Sequence, residues 1–201
     1  MKKIILATGN QGKLHEFRSL TSRYPWTVLS LKDFPELPKV LETGSTFREN
    51  ARLKAASAAE KTGLVSLADD SGLVVDYLGG LPGVNSARFA GEEGNDQKNN
   101  EKLLKMLEGV PEDQRKARFS CTIAVVEPSG QTVYCEGFCE GLILTEARGT
   151  NGFGYDPLFF LPELGKTMAE LAMEEKNSIS HRGKAFKAVL PLLEKILSAT
   201  V

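Results

Sequence analysis

The sequence predicts an α/β fold with a mixed β-sheet and helices on both sides of it. Early in the chain, short apolar runs typical of buried strands alternate with amphipathic segments typical of helices, which favours parallel strands. In the middle of the chain, the two longest strand candidates follow one another across a Pro-Ser-Gly turn, which predicts an antiparallel hairpin. A sheet that contains both kinds of pairing is mixed.

The first half of the chain is predicted to form two helices among short strands. Leu14, Phe17 and Leu20 share one stripe of a helix, and the capping-box pattern Thr46-x-x-Glu49 opens a second, alanine-rich helix. The expected helices span about 13–23 and 46–61, and the expected strands span 3–7, 28–31, 64–68 and 73–77. The segment 33–44 contains two prolines and is predicted to be a loop.

The second half contains the predicted hairpin, with strands over 118–127 and 132–144. A helix over 96–107 precedes it, with Leu103, Leu104 and Leu107 facing inward. A short strand at 158–161, a short helix that begins at Thr167-x-x-Glu170 and an amphipathic helix over 182–198 follow it.

Length and composition indicate one folded domain over residues 1–201. Of the 201 residues, 41% are hydrophobic, so a core can form without a disulfide bond or a structural metal ion. The net charge of −1 argues against a general nucleic-acid binder, and no apolar run reaches the roughly 18–20 residues of a membrane span. The apolar run at 4–7 is too short for a signal peptide, so we expect a cytoplasmic protein with no nucleic-acid or membrane partner. The three cysteines lack a CxxC pair and are expected to be buried thiols in a reducing compartment.

A glycine-containing turn joins the first strand to the first helix. Its residues are Thr8, Gly9, Asn10, Gln11, Gly12 and Lys13. Such a turn directs backbone N–H groups and the positive end of the helix to one point, which suits a phosphate group. Lys13 is unfavourable in a first helical turn unless an anion is present. The spacing is not that of a P-loop, and an ordinary strand-to-helix turn fits the pattern equally well.

Adjacent carboxylates, Asp69 and Asp70, lie between two apolar runs and are followed by Ser71. Neighbouring carboxylates repel each other unless a cation joins them, and oxygen ligands suit Mg²⁺. Because side chains alternate along an extended chain, one carboxylate would face the site and the other would support it. Glu42 and Lys54 are further candidates, although a polar turn and a solvated helix face remain alternatives for these residues.

The third motif is the glycine-rich segment 149–157, which contains Phe153, Gly154, Tyr155 and Asp156. An aromatic side chain in such a loop can stack on a nucleobase, although a tight turn with both aromatic rings in the core fits the pattern too. Further along the chain, Lys176, His181 and Arg182 provide hydrogen-bond donors. The sequence contains no HExxH motif and no nucleophile elbow, so metal-assisted phosphoryl chemistry on a nucleotide is the leading reaction class.

Six ordered segments resemble one family, the house-cleaning nucleoside-triphosphate pyrophosphatases, which include inosine triphosphate pyrophosphatase and the XTP/dITP diphosphatases. The segments are TGNQGK at 8–13, FRENARLKA at 47–55, ADDSGL at 68–73, PGVNSARF at 82–89, GTNGFGYDPLF at 149–159 and SHRGKA at 180–185. The resemblance implies a homodimer with two lobes that flank a central nucleotide cleft. It also implies Mg²⁺-dependent hydrolysis of ITP, dITP and XTP to the monophosphate and pyrophosphate, which cleanses the nucleotide pool and prevents incorporation into DNA and RNA.

The resemblance also implies a role for each candidate residue. Asp70 would be the catalytic acid/base residue and a metal ligand, and Glu42 would share the metal. Residues 8–13 and Lys54 would bind the phosphates, and Ser71 would contact the substrate. The base and ribose would contact residues 153–156, Lys176, His181 and Arg182.

Two other functions fit the same residues. A pyrophosphatase for modified pyrimidine or methylated nucleotides would differ in its relative turnover of dITP, XTP, dUTP, dTTP and GTP. A nucleotide-binding regulator would release no pyrophosphate from ITP, although the presence of Lys13, Glu42, Asp69 and Asp70 argues against a lapsed enzyme.

Overall fold

Seven strands and five α-helices occur in the part of the chain that the structure, a computed structural model, describes: residues 1–92 and 94–199. The strands are β1 Lys2–Leu6, β2 Trp26–Ser30, β3 Ser66–Val75, β4 Lys116–Val126, β5 Thr132–Ile143, β6 Phe159–Leu161 and β7 Lys166–Thr167. The helices are α1 Gln11–Thr21, α2 Phe47–Thr62, α3 Asp96–Met106, α4 Met173–Ile179 and α5 His181–Ala199. None of the described helices is long and apolar enough to cross a bilayer.

The strands form one sheet in the order β2-β1-β3-β4-β5-β6-β7. Strand β1 pairs in parallel with β2 and β3, whereas β6 pairs antiparallel with β5 and β7. Strands β4 and β5 are neighbours joined by a tight turn, in which the Glu127 N–H donates to the Gln131 carbonyl at 2.9 Å. The predicted mixed α/β sheet and its central hairpin are therefore confirmed.

The chain divides into two compact units. Unit 1 consists of residues 1–70, 121–137 and 182–201, and unit 2 consists of residues 71–120 and 138–181. Strands β3, β4 and β5 each contribute residues to both units. The predicted domain 1–201 includes Glu93, Thr200 and Val201, which lie outside the described residues.

Unit 1 has a helix layer on each face of its strands, and the alternation of side chains along β1 explains this. Ile4 and Leu6 belong to a cluster with apolar residues of α1 and α5, such as Phe17 and Phe186. Ile5 and Ala7 point the other way, into a cluster with the alanines of α2, which are Ala51, Ala55, Ala58 and Ala59. The small alanine side chains let α2 pack closely against the sheet.

Unit 2 is built around a separate core in which Leu103 of α3 packs with Phe119 of β4 and Phe159 of β6. A buried arginine, Arg115, ties this unit together. Its guanidinium donates to the carbonyls of Leu107, Val110, Ile143 and Leu144 at 2.6 to 3.3 Å. The cation therefore stabilises the carboxyl end of α3, where the helix dipole favours positive charge.

Several predicted boundaries are wrong. The expected strands at 64–68 and 73–77 are one continuous strand, β3, that runs through both aspartates. The first helix begins at Gln11 rather than Lys13, because Asn10 caps it. Helix α4 and strand β7, which are seven and two residues long, were not predicted. The helix expected at Thr167-x-x-Glu170 is a single 3₁₀ turn, Met168–Glu170.

Candidate active site

The predicted phosphate-binding turn forms the capped start of α1 in unit 1. The Thr8 hydroxyl accepts a hydrogen bond from the Asn10 N–H at 3.1 Å, and the Asn10 side chain accepts one from the Lys13 N–H at 3.1 Å. Gly9, Asn10 and Gln11 are exposed, and the first turn contains no acidic side chain. The positive end of the helix dipole is therefore open to an anion from solvent.

Asp69 lies at the centre of a row of alternating charges in unit 1. Its Oδ2 is 2.8 Å from the Lys13 Nζ and 3.4 Å from the Arg182 Nε, and Arg182 also contacts the Glu16 carboxylate at 2.7 Å. Burial alone would raise the pKa of Asp69, but the charges of Lys13, Arg182 and Lys54 outweigh burial and hold that pKa well below its ordinary value. Asp69 therefore stays ionised and orients two cations.

Asp70 has different surroundings, as the alternation along β3 requires. Its Oδ1 is 2.9 Å from the Lys54 Nζ, and the same ammonium is 2.7 Å from the Glu42 Oε1. The Oδ2 of Asp70 is buried and has no hydrogen-bond partner. Burial raises the pKa of Asp70, and the charge of Lys54 only partly opposes this effect. We call the seven residues of these two groups the charged cluster: Lys13, Glu16, Glu42, Lys54, Asp69, Asp70 and Arg182.

Helix α2 positions Glu42 through the loop that precedes it. Asn50 is fully buried and accepts a hydrogen bond from the Gly44 N–H at 2.8 Å. A Cβ at Gly44 would lie 2.6 Å from the Glu49 Cβ, so only glycine permits this approach. Glu49 and Thr46 cap α2 reciprocally, as the sequence predicted. The loop is therefore held against the first turns of the helix that carries Lys54.

The residues at Lys54 fit a divalent cation. Glu42 and Asp70 hold a common cation, the Lys54 ammonium, and Asp70 retains a buried oxygen with no partner. No group of three or more His, Cys, Asp or Glu side chains forms a metal site among residues 1–92 and 94–199. Mg²⁺ needs no such group, because it is usually bound by one or two carboxylates together with water and substrate phosphates.

The glycine-rich segment 149–157, which we call the aromatic loop, belongs to unit 2. The buried Asp156 carboxylate accepts hydrogen bonds from the Phe153 N–H at 2.9 Å and from the Lys176 Nζ at 2.8 Å. The Lys176 ammonium also lies 4.8 Å from the centre of the Phe153 ring. A Cβ at Gly152, where φ is +80°, would lie 2.1 Å from the Asp156 Oδ2. The loop therefore places a half-buried aromatic ring beside a fixed ammonium group.

The remaining predicted residues differ in accessibility. Tyr155 is buried in the core of unit 2, and its hydroxyl donates to the Ser86 carbonyl at 2.8 Å. His181 is also buried and stacks on Phe119 with ring centres 4.7 Å apart, whereas Ser71 is half-buried. Arg182 belongs to unit 1 and contacts Glu16 and Asp69, while Lys176 and Asp156 belong to unit 2.

Sequence reasoning missed three residues that hold the predicted ones in place. Glu16 is 6% exposed and contacts Arg182. Glu16 lies about 100° around α1 from Phe17 and outside the apolar stripe, so the helical pattern gave no signal for its burial. Asp96 and Asn100 of α3 contact Gly154 of the aromatic loop, and nothing in their sequence context indicates this contact.

Comparison with known proteins identifies the family. The model of the Ham1 family matches residues 4–192. The chain belongs to the Ham1 family. Relatives named dITP/XTP pyrophosphatase occur in Desulforamulus reducens, at 55% identity over 96% of this chain and 96% of the relative, and in Geobacillus kaustophilus, at 55% identity over 98% and 97%. The structure of a HAM1 protein from Coxiella burnetii has a TM-score of 0.89 at 43% identity and covers 97% of this chain and 100% of that one. The resemblance predicted from the six motifs is therefore confirmed.

Proposed function

We propose that this Ham1 family chain hydrolyses the non-standard purine nucleoside triphosphates ITP, dITP and XTP to the monophosphate and pyrophosphate, with Mg²⁺ as the cofactor. The relatives are named dITP/XTP pyrophosphatase, so the enzyme class predicted from the sequence is confirmed. The reaction would remove these nucleotides before they are incorporated into DNA and RNA.

The observation that carries this proposal is the arrangement at Lys54. One ammonium group holds two carboxylates, Glu42 and Asp70, in a largely buried position, and Asp70 keeps a free oxygen. A structural ion pair needs one carboxylate and has no use for a second or for an unpartnered oxygen. A site for a triphosphate and a divalent cation uses the ammonium group, the pair of carboxylates and the unpartnered oxygen.

The charged cluster and the turn at 8–13 would act on the triphosphate. Glu42 and Asp70 would hold Mg²⁺, which neutralises phosphate charge and polarises the α-phosphorus when it is bound. Asp70 would orient the attacking water and accept its proton. Lys13 and Lys54 would stabilise the negative charge that develops on the departing pyrophosphate, and Asp69 would keep Lys13 in position.

The aromatic loop and its neighbours would act on the base and ribose. Phe153 would stack on the purine, and Lys176 would donate a hydrogen bond to the 6-oxo group that hypoxanthine and xanthine share. Adenine carries a 6-amino group, which cannot accept this bond, and a site built around one such bond discriminates strongly against an analogue that cannot form it. Gly154, Tyr155, Asp156, Ser71, His181 and Arg182 would complete the contacts to the nucleoside.

We further propose that both units act together as one catalytic domain over residues 1–201, in a cytoplasmic homodimer that has no nucleic-acid partner. The near-neutral net charge supports the absence of general polyanion binding. Light scattering at micromolar concentration tests the oligomeric state, and a monomer at all concentrations would contradict a homodimer.

The proposal is tested by pyrophosphate release from dITP, ITP and XTP in the presence of Mg²⁺, with ATP, GTP, dUTP and dTTP as comparison substrates. The decisive variant is Asp70→Asn, which should still bind dITP but turn over at least about 100-fold more slowly, the lower range for the loss of acid–base catalysis. Asp76→Asn is the matched control, because Asp76 follows the same strand and is exposed. Near-normal turnover by Asp70→Asn would exclude its catalytic role. A wild-type protein that binds ITP without releasing pyrophosphate would instead be a nucleotide-binding regulator.

A further inference from the structure

Helix α3 binds both polar atoms of the Gly154 backbone in the aromatic loop. The Asp96 Oδ2 accepts a hydrogen bond from the Gly154 N–H at 2.6 Å, and the Asn100 Nδ2 donates one to the Gly154 carbonyl at 3.0 Å. Asp96 and Asn100 are four residues apart on α3, so their side chains project from the same face of the helix. Because the Gly154 backbone donates one hydrogen bond and accepts the other, the two bonds together fix its orientation. A single hydrogen bond would not.

Helix α3, which carries Asp96 and Asn100, is held rigidly in place. Helix α3 is capped by Asn95, whose side chain accepts a hydrogen bond from the Lys98 N–H, and Leu103 anchors it in the unit 2 core. Arg115 binds the carbonyl of Leu107 directly beyond its last turn. A helix held at both ends and along its buried face can define the position of a loop that has little regular structure of its own.

The contact at Gly154 affects the positions of the groups that would recognise the nucleobase. Gly154 directly follows Phe153, whose N–H is bonded to Asp156, and Asp156 holds Lys176. The Lys176 ammonium in turn lies over the Phe153 ring. A shift of the backbone at Gly154 would therefore move the aromatic ring and the ammonium relative to each other.

We propose that Asp96 and Asn100 are positioning residues for nucleobase recognition: they hold Gly154 so that Phe153 and Lys176 keep the geometry that binds a 6-oxopurine. This inference rests on the proposed function. It adds two residues of α3 that make no contact with the base themselves and act only through the aromatic loop.

The exposure of Asp96 argues for this role over a purely structural one. Asp96 is exposed and Asn100 is half-buried, so neither residue contributes much to the core of unit 2. The bonds to Gly154 join a helix surface to a loop, and their loss leaves no buried charge behind. Their removal should therefore alter the loop more than it alters global stability.

The test compares Asp96→Ala, Asp96→Asn and Asn100→Ala, with Glu101→Ala as the matched control on the same helix. Glu101 is exposed and contacts the Gln97 side chain through its carboxylate. Each variant is assayed for dITP hydrolysis and for inhibition by two products, dIMP, which carries the base, and pyrophosphate, which does not. Thermal unfolding of each variant is measured in parallel.

We expect Asp96→Ala and Asn100→Ala to raise the KM for dITP by about tenfold, close to the net effect of one hydrogen bond, with kcat within about twofold. Inhibition by dIMP should weaken by a similar factor, whereas inhibition by pyrophosphate should not change. Asp96→Asn keeps an acceptor oxygen and should restore most of the wild-type KM, and Glu101→Ala should match the wild type throughout.

Three results would overturn the inference: an unchanged KM in both alanine variants, equal weakening of dIMP and pyrophosphate inhibition, or a rise in KM that is explained by lower thermal stability alone. Asn100→Ala supplies the same test if Asp96→Ala does not fold. A wild-type protein that does not hydrolyse dITP would contradict the proposed function itself, and that outcome is visible before any variant is made.

Discussion

Substitution of Lys54 by methionine tests whether its ammonium occupies a cation site. The Glu42 Oε1 and the Asp70 Oδ1 lie 2.7 and 2.9 Å from the same nitrogen, so these two oxygens are at most about 5.6 Å apart, the sum of those distances. Without the ammonium, two carboxylates at that separation repel each other by ~0.7 kcal/mol in a water-like dielectric and ~3 kcal/mol at an effective dielectric constant of 20. Since Asp70 is largely buried and Glu42 is about one quarter exposed, we expect an intermediate loss of ~2 kcal/mol. For a protein of this size, that loss lowers Tm by about 4–8 °C.

The assay is thermal unfolding of the wild type and Lys54→Met, first with a chelator and then across a Mg²⁺ titration. We expect Mg²⁺ to raise the Tm of Lys54→Met more than that of the wild type, because a divalent cation can replace the missing charge between the carboxylates. Lys61→Met is the control, since Lys61 is an exposed residue near the end of the same helix. The reasoning is refuted if Lys54→Met is as stable as the wild type in chelator, or if Mg²⁺ stabilises both proteins equally.

Two further predictions concern unit 2. Arg115→Met should lower the free energy of unfolding by about 2–3 kcal/mol, because the buried or partly buried carbonyls of Leu107, Val110, Ile143 and Leu144 lose a donor; urea unfolding measures this, and a change below about 0.5 kcal/mol would contradict it. Gly152→Ala should weaken dITP binding and lower stability by about 1–3 kcal/mol, because the new Cβ would meet Asp156 at a backbone angle that alanine rarely adopts. Gly130→Ala, at a turn with φ of +88° and open space around the Cβ, separates the effect of the angle from that of the collision.

The sequence predicted most helices and the hairpin because the interactions that decide them are local. The capping box of Thr46 and Glu49 begins α2 where the pattern predicted it, and the Pro-Ser-Gly turn separates β4 from β5. Helix α4 was not predicted, because seven residues are too few to show a periodic pattern.

The division of residues 64–77 into two strands is wrong for a physical reason. Two adjacent aspartates are typical of a turn, because an unpaired carboxylate is costly inside a sheet. In this protein Lys13 and Arg182 compensate Asp69, and Lys54 compensates Asp70, so the strand continues through both residues. The compensation comes from other elements and is not visible in the local sequence.

The same limit applies to the candidate site. The sequence singled out Lys54, Asp70 and Glu42 as candidates, and the structure brings them together. The contact between Glu16 and Arg182 joins residues 166 positions apart, and no spacing rule predicts it. His181 and Arg182 are neighbours in the chain, yet one stacks on Phe119 and the other joins the charged cluster.

The discontinuity of unit 1 affects how the chain can fold during synthesis. Its core combines Ile4 and Leu6 from the first strand with Phe186, Val189 and Leu193 from α5. Until residues 182–199 have left the ribosome, this apolar surface has no cover, and Glu16 and Asp69 lack the guanidinium that joins them. Domains generally fold as units during translation, but here the nascent chain cannot complete unit 1 first and add unit 2 afterwards. Unit 1 must wait for α5, whereas the segments of unit 2 end at residue 181 and can pack around their own core before α5 has been made.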